Sequence, residues 1–258
     1  MGGVIPEICV IKLINMNNTN SISGKTVIIL GGSAGIGLAT AKLAAQEGAR
    51  VIIASGNQAR IDAALQQLPA GSQGYAVDLS KEESIAGFFK TIGAFDHLIY
   101  TAGENLSLSP IVEADIEKAR SFFNVRYWGA YTAIKYGAPK IKQGGSIVLT
   151  SGAAGRRGGA SWSAASSICA AMEGLTRSLA IELAPIRVNC IVPGFVKTNL
   201  WDYLDSETRE TMYANAASAL PVKYVAGPED IALSYIYLLK QPYSTGESLL
   251  VDGGHVLI

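Results

Sequence analysis

Short apolar runs alternate with longer amphipathic stretches along the chain from Lys25 to the C-terminus. The runs are four to six residues long and almost continuously apolar, which is typical of strands covered on both faces. They comprise Thr26–Leu30, Arg50–Ala54, Gln73–Val77, His97–Thr101, Ser146–Thr150, Arg187–Val192 and Ser248–Val251. The stretches between them have helical periodicity and comprise Ile36–Gln46, Ala59–Leu68, Lys81–Thr91, Ile116–Lys142, Ala165–Leu183 and Pro228–Leu239. This alternation predicts a doubly wound α/β fold, with a parallel sheet of about seven strands and helices on both faces.

The length of 258 residues suits one large domain, and no linker or low-complexity segment interrupts the alternation. We therefore predict a single domain over residues 24–258. Residues 1–23 form a predicted N-terminal extension that is disordered or loosely packed. Two interpretations of this extension are open: Met16 is the native start and residues 1–15 an upstream addition, or the segment is an ordinary terminus that packs locally.

Charge and cysteine content argue against several classes of protein. Lys+Arg and Asp+Glu both total 21, so the basic excess typical of nucleic-acid-binding proteins is absent. The three cysteines form no CxxC pair and the two histidines are far apart, which argues against a disulfide framework and against a metal site. The apolar stretch Val4–Ile14 is interrupted by Glu7 and Lys12 and is too short to span a bilayer. We expect a cytoplasmic protein that acts on a small molecule, with neither nucleic acid nor membrane as a partner.

A glycine-rich segment, residues 31–37, directly follows the first predicted strand and opens the first predicted helix. Glycines permit a tight turn and let the backbone approach a pyrophosphate, while the helix N-terminus offers free N–H groups and a partial positive charge. Because ligands bind at the carboxyl ends of strands in such folds, this context predicts a dinucleotide-binding loop.

The spacing Gly31-x-x-x-Gly35-x-Gly37 resembles the TGxxxGxG motif of the short-chain dehydrogenase/reductase family, with Leu30 in place of the threonine. The resemblance spans residues 24–258 and recurs at Asp78, Ala102-Gly103, Asn124, Pro193–Thr198 and Val251–Gly254. It implies a Rossmann-type fold, a nicotinamide cofactor and hydride transfer between a carbonyl and an alcohol. The cofactor-binding residues that it implies are Gly31, Ser33, Ala34, Gly35, Ile36, Gly37, Ser55, Asn57, Asp78, Leu79, Thr101, Ala102, Gly103, Pro193, Gly194, Val196 and Thr198.

The end of the second predicted strand favours NADP(H) over NAD(H). In the family, an acidic residue there binds the adenosine 2′-hydroxyl of NAD and repels the 2′-phosphate of NADP. Here no acid follows Ala54, and Ser55 and Asn57 can donate hydrogen bonds to a phosphate. However, Gly56 stands where many NADP-using relatives carry arginine. Asp78 has two open roles, binding the adenine edge or capping a helix N-terminus.

The residues that transfer protons in the family are missing from this chain. Members use a tyrosine as acid or base, a lysine four residues later in the same helix, and a serine after the preceding strand. Alignment of the fifth strand and the following helix puts the serine, tyrosine and lysine positions on Gly152, Ala165 and Cys169. No tyrosine lies between positions 136 and 203 and no lysine between 142 and 197, so shifting the alignment does not restore the pair.

Two residues are predicted to be catalytic in their place. Asn124 matches the family asparagine that holds a water in the proton relay, and Ser151 neighbours the vacated serine position. Tyr100 is a further candidate acid, with packing as the alternative. Arg156 and Arg157 are candidates for meeting an anionic substrate, with solvated loop charges as the alternative.

Other residues that resemble reactive groups are given structural roles. Tyr131–Lys135 and Tyr136–Lys140 have the Tyr-x-x-x-Lys spacing, but they precede the fifth strand and are interpreted as surface pairs. Cys169 is interpreted as a small buried helix residue rather than a reactive thiol.

Three functional hypotheses follow. The first is an NADP-dependent oxidoreductase with a non-standard proton donor, the second a catalytically inactive NADP(H)-binding sensor or structural partner, and the third a non-redox enzyme. The segment Asn199–Leu220 is predicted to be a variable lid whose aromatic residues either wall a substrate pocket or merely pack. The resemblance also implies a homotetramer or homodimer.

Overall fold

The computed structural model describes residues 20–106 and 108–258, so most of the predicted extension over residues 1–23 lies outside the described part of the chain. Seven parallel strands form one sheet in the order β3-β2-β1-β4-β5-β6-β7, which confirms the predicted doubly wound fold. The strands are β1 (Thr26–Leu30), β2 (Arg50–Ser55), β3 (Gln73–Ala76), β4 (Phe95–Tyr100), β5 (Ile141–Thr150), β6 (Arg187–Pro193) and β7 (Ser248–Val251). The strand order reverses between β1 and β4, so a crevice opens at the carboxyl ends of these two strands.

Helices connect successive strands and cover both faces of the sheet. They are α1 (Gly35–Gln46), α2 (Gln58–Leu65), α3 (Glu82–Thr91), α4 (Ile116–Phe123), α5 (Ala130–Gly137), α6 (Ser163–Glu182), α7 (Ser206–Ala219) and α8 (Pro228–Lys240). Alternate strand residues point to opposite faces, so Val27 and Ile29 pack in one apolar layer and Ile28 and Leu30 in the other. The first layer includes residues of α1, α2 and α8, and the second includes residues of α3, α5 and α6.

The predicted helix over Ile116–Lys142 is wrong in two respects. Asn124–Gly129 is a π-helical segment between α4 and α5, and the helical path ends in a short 3-10 turn, Ala138–Lys140. Pro139 lies in that turn and cannot donate a backbone hydrogen bond, so β5 begins at Ile141, five residues earlier than predicted.

The helix α7 lies inside the predicted lid and has no counterpart among the predicted helices. Tyr213 is its one buried side chain, so the sequence there carries no apolar stripe of helical period. Asp205 caps its N-terminus by accepting a hydrogen bond from the backbone N–H of Thr208 at 2.9 Å. Among the described helices, none is both long and apolar enough to cross a membrane.

Candidate active site

The loop after β1 has the shape that a dinucleotide pyrophosphate requires. Gly31 adopts a φ of +89°, and a Cβ there would lie 2.5 Å from the backbone nitrogen of Ala102. A Cβ on Gly37 would overlap the carbonyl oxygen of Gly31. Glycine is therefore required at both positions because the backbones of the loop and of the segment after β4 approach closely.

The N-terminus of α1 is open to an anion. Its N-cap is Ala34, no side chain caps it, and its first turn contains no acidic residue. Its first N–H groups therefore lack the side-chain partner that most helices provide, and the helix dipole favours negative charge there. The Ser33 hydroxyl donates to the Ser55 hydroxyl at 2.9 Å, which links the ends of β1 and β2 beside this terminus. These residues fit the phosphate groups of a dinucleotide.

At the ends of β2 and β3 lie the residues predicted to bind the adenosine. Asn57 caps α2 by accepting from the backbone N–H of Arg60 at 2.9 Å. Asp78 accepts from the Ser80 hydroxyl at 2.6 Å and the Ser80 backbone N–H at 3.0 Å, and these bonds hold the pKa of its carboxyl below the ordinary value. The N-cap of α3 is Lys81, so the helix-capping alternative for Asp78 is wrong; Asp78 instead stabilises the turn before that helix.

A cavity of about 380 Å³ lies at the carboxyl ends of β4, β5 and β6. It brings together seven of the predicted cofactor residues: Ile36, Thr101, Ala102, Pro193, Gly194, Val196 and Thr198. Ser151 and the three positions that the sequence alignment predicts to be vacated, Gly152, Ala165 and Cys169, also line it. Residues that are distant in sequence thus form one cleft, as the strand order predicts.

The vacated positions form one wall of this cleft. A Cβ on Gly152 would lie 3.1 Å from the Cys169 Sγ, and Ala165 is buried in the helix α6 nearby. Burial raises the pKa of the Cys169 thiol, and the positive charge of Arg126 opposes that shift. The Ser151 hydroxyl donates to the Cys169 carbonyl at 2.8 Å. No tyrosine and no lysine is among the described residues that line the cavity.

Asn124 is not part of the cleft. Its side chain is exposed, and it lines a separate surface depression together with Phe123 and Trp128. Tyr100 also fails to reach the cleft, since its buried hydroxyl donates to the Val125 carbonyl at 2.5 Å. Burial raises the pKa of this phenol, so the packing alternative for Tyr100 is correct.

Arg126 also lines the cavity, although it is not among the predicted site residues. Its guanidinium carbon lies 5.0 Å from the centroid of the Phe122 ring, and Nη2 donates to the Glu104 carbonyl. Phe122 and Arg126 are four residues apart and therefore share one face of the helix. Asn124 lies two residues from each of them and so on the opposite face. The Phe-x-x-x-Arg spacing was the available signal.

The two Tyr-x-x-x-Lys pairs lie away from the cleft, as predicted. Lys135 and the hydroxyl of Tyr136 both donate to the Glu82 carboxylate at 2.7 Å, which joins α5 to α3 at the surface. Lys140 donates to the Ile92 carbonyl at 2.6 Å.

Comparison with known proteins identifies the family. The family model described as Enoyl-(Acyl carrier protein) reductase matches residues 31–255. The short-chain dehydrogenase/reductase ATR9 of Stachybotrys chlorohalonatus is 34% identical over 253 residues, which covers 92% of this chain and 99% of that protein. The chain belongs to the short-chain dehydrogenase/reductase family.

Other members of this family are similar over the same extent. Carbonyl reductase family member 4 of Danio rerio is 33% identical, over 91% of this chain and 99% of that protein. A crystal structure of a small-chain dehydrogenase in complex with NADPH is 39% identical, with a TM-score of 0.82 over 92% of this chain and 100% of that chain. The fold of this short-chain dehydrogenase/reductase is thus the NAD(P)-binding fold of its family.

In this short-chain dehydrogenase/reductase the two loop arginines after β5 have different roles. Arg156 is exposed, as the solvated-charge alternative expects, but it also pairs with Glu173 at 3.0 Å and donates to the Ser248 carbonyl at 2.7 Å. It is committed to joining α6 and β7. Arg157 is exposed, donates to the His255 carbonyl at 2.5 Å and lines the cavity.

The lid is anchored by its single tryptophan, Trp201. The Trp201 ring stacks on Phe195 at a centroid distance of 4.8 Å, and its Nε1 donates to the Val196 carbonyl at 3.0 Å. Trp201 lines the cavity, so it both packs and walls the cleft. Tyr213 is buried in the same lid cluster, whereas Tyr203 is 52% exposed.

Proposed function

We propose that this short-chain dehydrogenase/reductase is an NADP(H)-dependent oxidoreductase that transfers hydride without the serine, tyrosine and lysine of its relatives. One observation carries the proposal: the cleft that gathers the cofactor-loop residues also contains Gly152, Ala165 and Cys169. Glycine and alanine side chains have no proton to donate, and burial keeps the Cys169 thiol protonated by raising its pKa. The positioning of cofactor and substrate is retained, and positioning is the larger part of what hydride transfer needs from a protein.

The proposed cofactor contacts divide by location. The loop 31–37, with Ser33, Ala34, Gly35 and Ile36, holds the pyrophosphate on the open N-terminus of α1. The adenosine lies against Ser55, Asn57, Asp78 and Leu79, and Ala102 and Gly103 flank its ribose. The nicotinamide lies against Thr101, Pro193, Gly194, Val196 and Thr198. When bound, the reduced cofactor supplies the hydride.

Preference for NADP(H) is supported by the end of β2. Ser55 and Asn57 are polar, no carboxylate stands there to repel a 2′-phosphate, and Gly56 is exposed. A Cβ on Gly56 would meet only the Val77 carbonyl oxygen, at 3.9 Å, so the space around it is open to a phosphate group.

Within the cleft, the residues of this chain bind and orient the substrate, and they exclude water from it. Trp201 and Phe195 close one side with their stacked rings, and Ala165 leaves room that a tyrosine ring would fill. Ser151 lines the cleft and its hydroxyl oxygen can still accept a hydrogen bond while it donates to the Cys169 carbonyl, which is the basis for retaining it as a candidate polar contact. Asn124 is not retained, because its exposed position gives it no path to the reacting atoms.

Assembly as a homodimer or homotetramer is part of the proposal. Ile116, Trp128 and Tyr131, on the continuous path of α4, the π segment and α5, are each about half exposed, at 57%, 56% and 47%. A second copy that covered this apolar surface would remove it from water. The free thiols of Cys169 and Cys190 suit a reducing compartment, so we propose the cytoplasm as the location.

The test is turnover. Purified protein is mixed with NADPH and a panel of ketones, aldehydes and unsaturated carbonyl compounds, and the loss of NADPH absorbance is followed. We expect oxidation of NADPH that depends on at least one carbonyl class. Binding of NADPH without any oxidation across the panel would overturn the enzymatic part of the proposal and favour a cofactor sensor.

A further inference from the structure

Arg126 is a partly buried cation that lines the cleft, and its hydrogen bonding is incomplete. One guanidinium nitrogen, Nη2, donates to the Glu104 carbonyl, and the guanidinium stacks on Phe122. The Nε is buried and has no hydrogen-bond partner within residues 20–106 and 108–258. A buried donor without a partner is costly, so the group is positioned for a ligand that supplies an acceptor.

The neighbouring polar groups of the cleft differ from Arg126 in this respect. The hydroxyls of Thr101, Thr150 and Ser151 each donate to a backbone carbonyl, at 3.2, 2.6 and 2.8 Å. The Trp201 Nε1 is likewise used within the protein. Arg157 also lines the cleft, but it is exposed and its Nη1 donates to the His255 carbonyl. Among the described residues of the cleft, Arg126 is therefore the arginine with a buried nitrogen that lacks a partner.

The charge of Arg126 is also not neutralised by direct contact. None of the ion pairs among the described residues includes it. Glu104 is near enough to raise the pKa of Arg126 against the larger lowering effect of burial, but its Oε1 accepts from the Val125 backbone N–H at 2.9 Å. A cation in this setting favours an anionic oxygen as its ligand.

Arg126 lines the same cavity as Cys169, the residue predicted at the lysine position of the family pattern. We propose that the Arg126 guanidinium binds the substrate oxygen on which negative charge develops during hydride transfer. This inference rests on the proposed function and adds the residue that stabilises the charge there. Arginine does not give up its proton, so Arg126 acts by hydrogen bonding and charge and not as an acid.

This role selects a class of substrate. A guanidinium that donates no proton suits an oxygen that becomes an enolate, because an enolate oxygen is a weaker base than an alkoxide. In an α,β-unsaturated carbonyl compound, the β-carbon accepts hydride from the reduced nicotinamide and the π electrons move to the carbonyl oxygen beside Arg126. Water then protonates the α-carbon and is released as hydroxide, so the products are the saturated carbonyl compound, the oxidised cofactor and hydroxide.

The test uses benzoate as a carboxylate probe and benzamide as its neutral counterpart, each titrated with and without NADP⁺. Binding is read from tryptophan fluorescence, since Trp162 and Trp201 both line the cavity. We expect the wild type to prefer benzoate, and Arg126→Gln to lose about tenfold or more in benzoate affinity while keeping its benzamide affinity. Arg120→Gln is the matched control, because Arg120 is exposed on α4, pairs with Glu117 at 2.7 Å and lies outside the cleft.

Equal affinity of the wild type for benzoate and benzamide would overturn the inference. This comparison needs no variant, so it remains decisive even if Arg126→Gln does not fold. An Arg126→Gln protein that is folded and binds benzoate like the wild type would overturn it as well. With cyclohexenone and NADPH, we expect Arg126→Gln to lower kcat more than it raises KM. Failure of the proposed function shows separately, as absent NADPH oxidation by the wild type.

Discussion

A side chain at position 152 would meet the thiol of Cys169, because a Cβ built on Gly152 lies 3.1 Å from that Sγ. The sequence alignment predicts that these are the serine and lysine positions of the family pattern, and both residues line the cleft. This separation is short enough for side chains at the two positions to meet, and it supports the proposal that they correspond to a catalytic pair in relatives.

Restoring the family residues should therefore create ordinary carbonyl reduction. We expect the triple variant Gly152→Ser, Ala165→Tyr, Cys169→Lys to reduce simple ketones about 10²–10⁴ times faster than the wild type, which is the usual contribution of a positioned acid. The measurement is NADPH oxidation with saturated ketones. The control is Gly152→Ser, Cys169→Lys, which lacks the tyrosine and should gain nothing; equal gains in both variants would contradict the assignment of these positions.

Cofactor preference should change with a substitution at Gly56. The position is exposed and its φ is not in the left-handed region, so a side chain is accommodated without strain. Gly56→Arg should bind NADPH about tenfold more tightly, through a charge-assisted hydrogen bond to the 2′-phosphate, and leave NADH affinity unchanged. Gly56→Asp should weaken NADPH binding by repulsion. Calorimetric titrations measure both, and identical NADPH affinity in the two variants would place the phosphate elsewhere.

Substitution of Gly31 should destabilise the protein more than substitution of a glycine that has a similar positive φ but no close neighbours, because the backbones approach closely at Gly31. Gly71 has a φ of +95° with nothing within 4 Å of a built Cβ, whereas at Gly31 the Cβ meets Ala102. Gly71→Ala should cost about 1–2 kcal/mol in the free energy of unfolding, from the backbone alone. Gly31→Ala should cost clearly more and abolish cofactor binding. Denaturant unfolding measures the free energy of unfolding of both variants. Equal losses in the two would mean that the contact with Ala102 adds nothing to the cost of substitution.

Acid should destabilise the fold through His97. Its side chain is buried, its Nδ1 lies 2.9 Å from the Ser146 hydroxyl, and burial lowers its pKa from 6.5 to about 4. Between these pH values the folded state therefore binds fewer protons than the unfolded state. The stability that the neutral imidazole contributes is fully present above pH 6.5 and is lost as the pH falls toward 4. The loss is at most about 3 kcal/mol. His97→Asn should flatten the pH dependence of the free energy of unfolding in that window, and an unchanged slope would contradict it.

Most of the fold could be predicted from periodicity, because strands covered on both faces are apolar throughout and amphipathic helices separate them. Thr26–Leu30 and Ser248–Val251 were predicted to the residue. The helix α7 escaped prediction because its packing buries little of its own surface, and the π segment escaped because its distinguishing contact, between the Tyr100 hydroxyl and the Val125 carbonyl, joins residues distant in sequence.

The part of the site that depends on backbone conformation could be predicted from the sequence. The part that depends on the direction of helical side chains could not. Glycine spacing marks the phosphate loop because the loop tolerates no other residue there. The family pattern named Asn124, but the direction of a helical side chain depends on which neighbours are buried, and here Phe122 and Arg126 face the cleft instead. The Phe-x-x-x-Arg spacing places Phe122 and Arg126 on one helix face, but it does not indicate which face lines the cleft.

The central claim is that the cleft binds a dinucleotide although it lacks the proton-transferring side chains of the family. Calorimetric titration of NADPH into the wild-type protein tests this claim most directly. We predict saturable binding with one NADPH per chain and an affinity about tenfold or more above that for NADH. No detectable heat or saturation with either dinucleotide would contradict the claim.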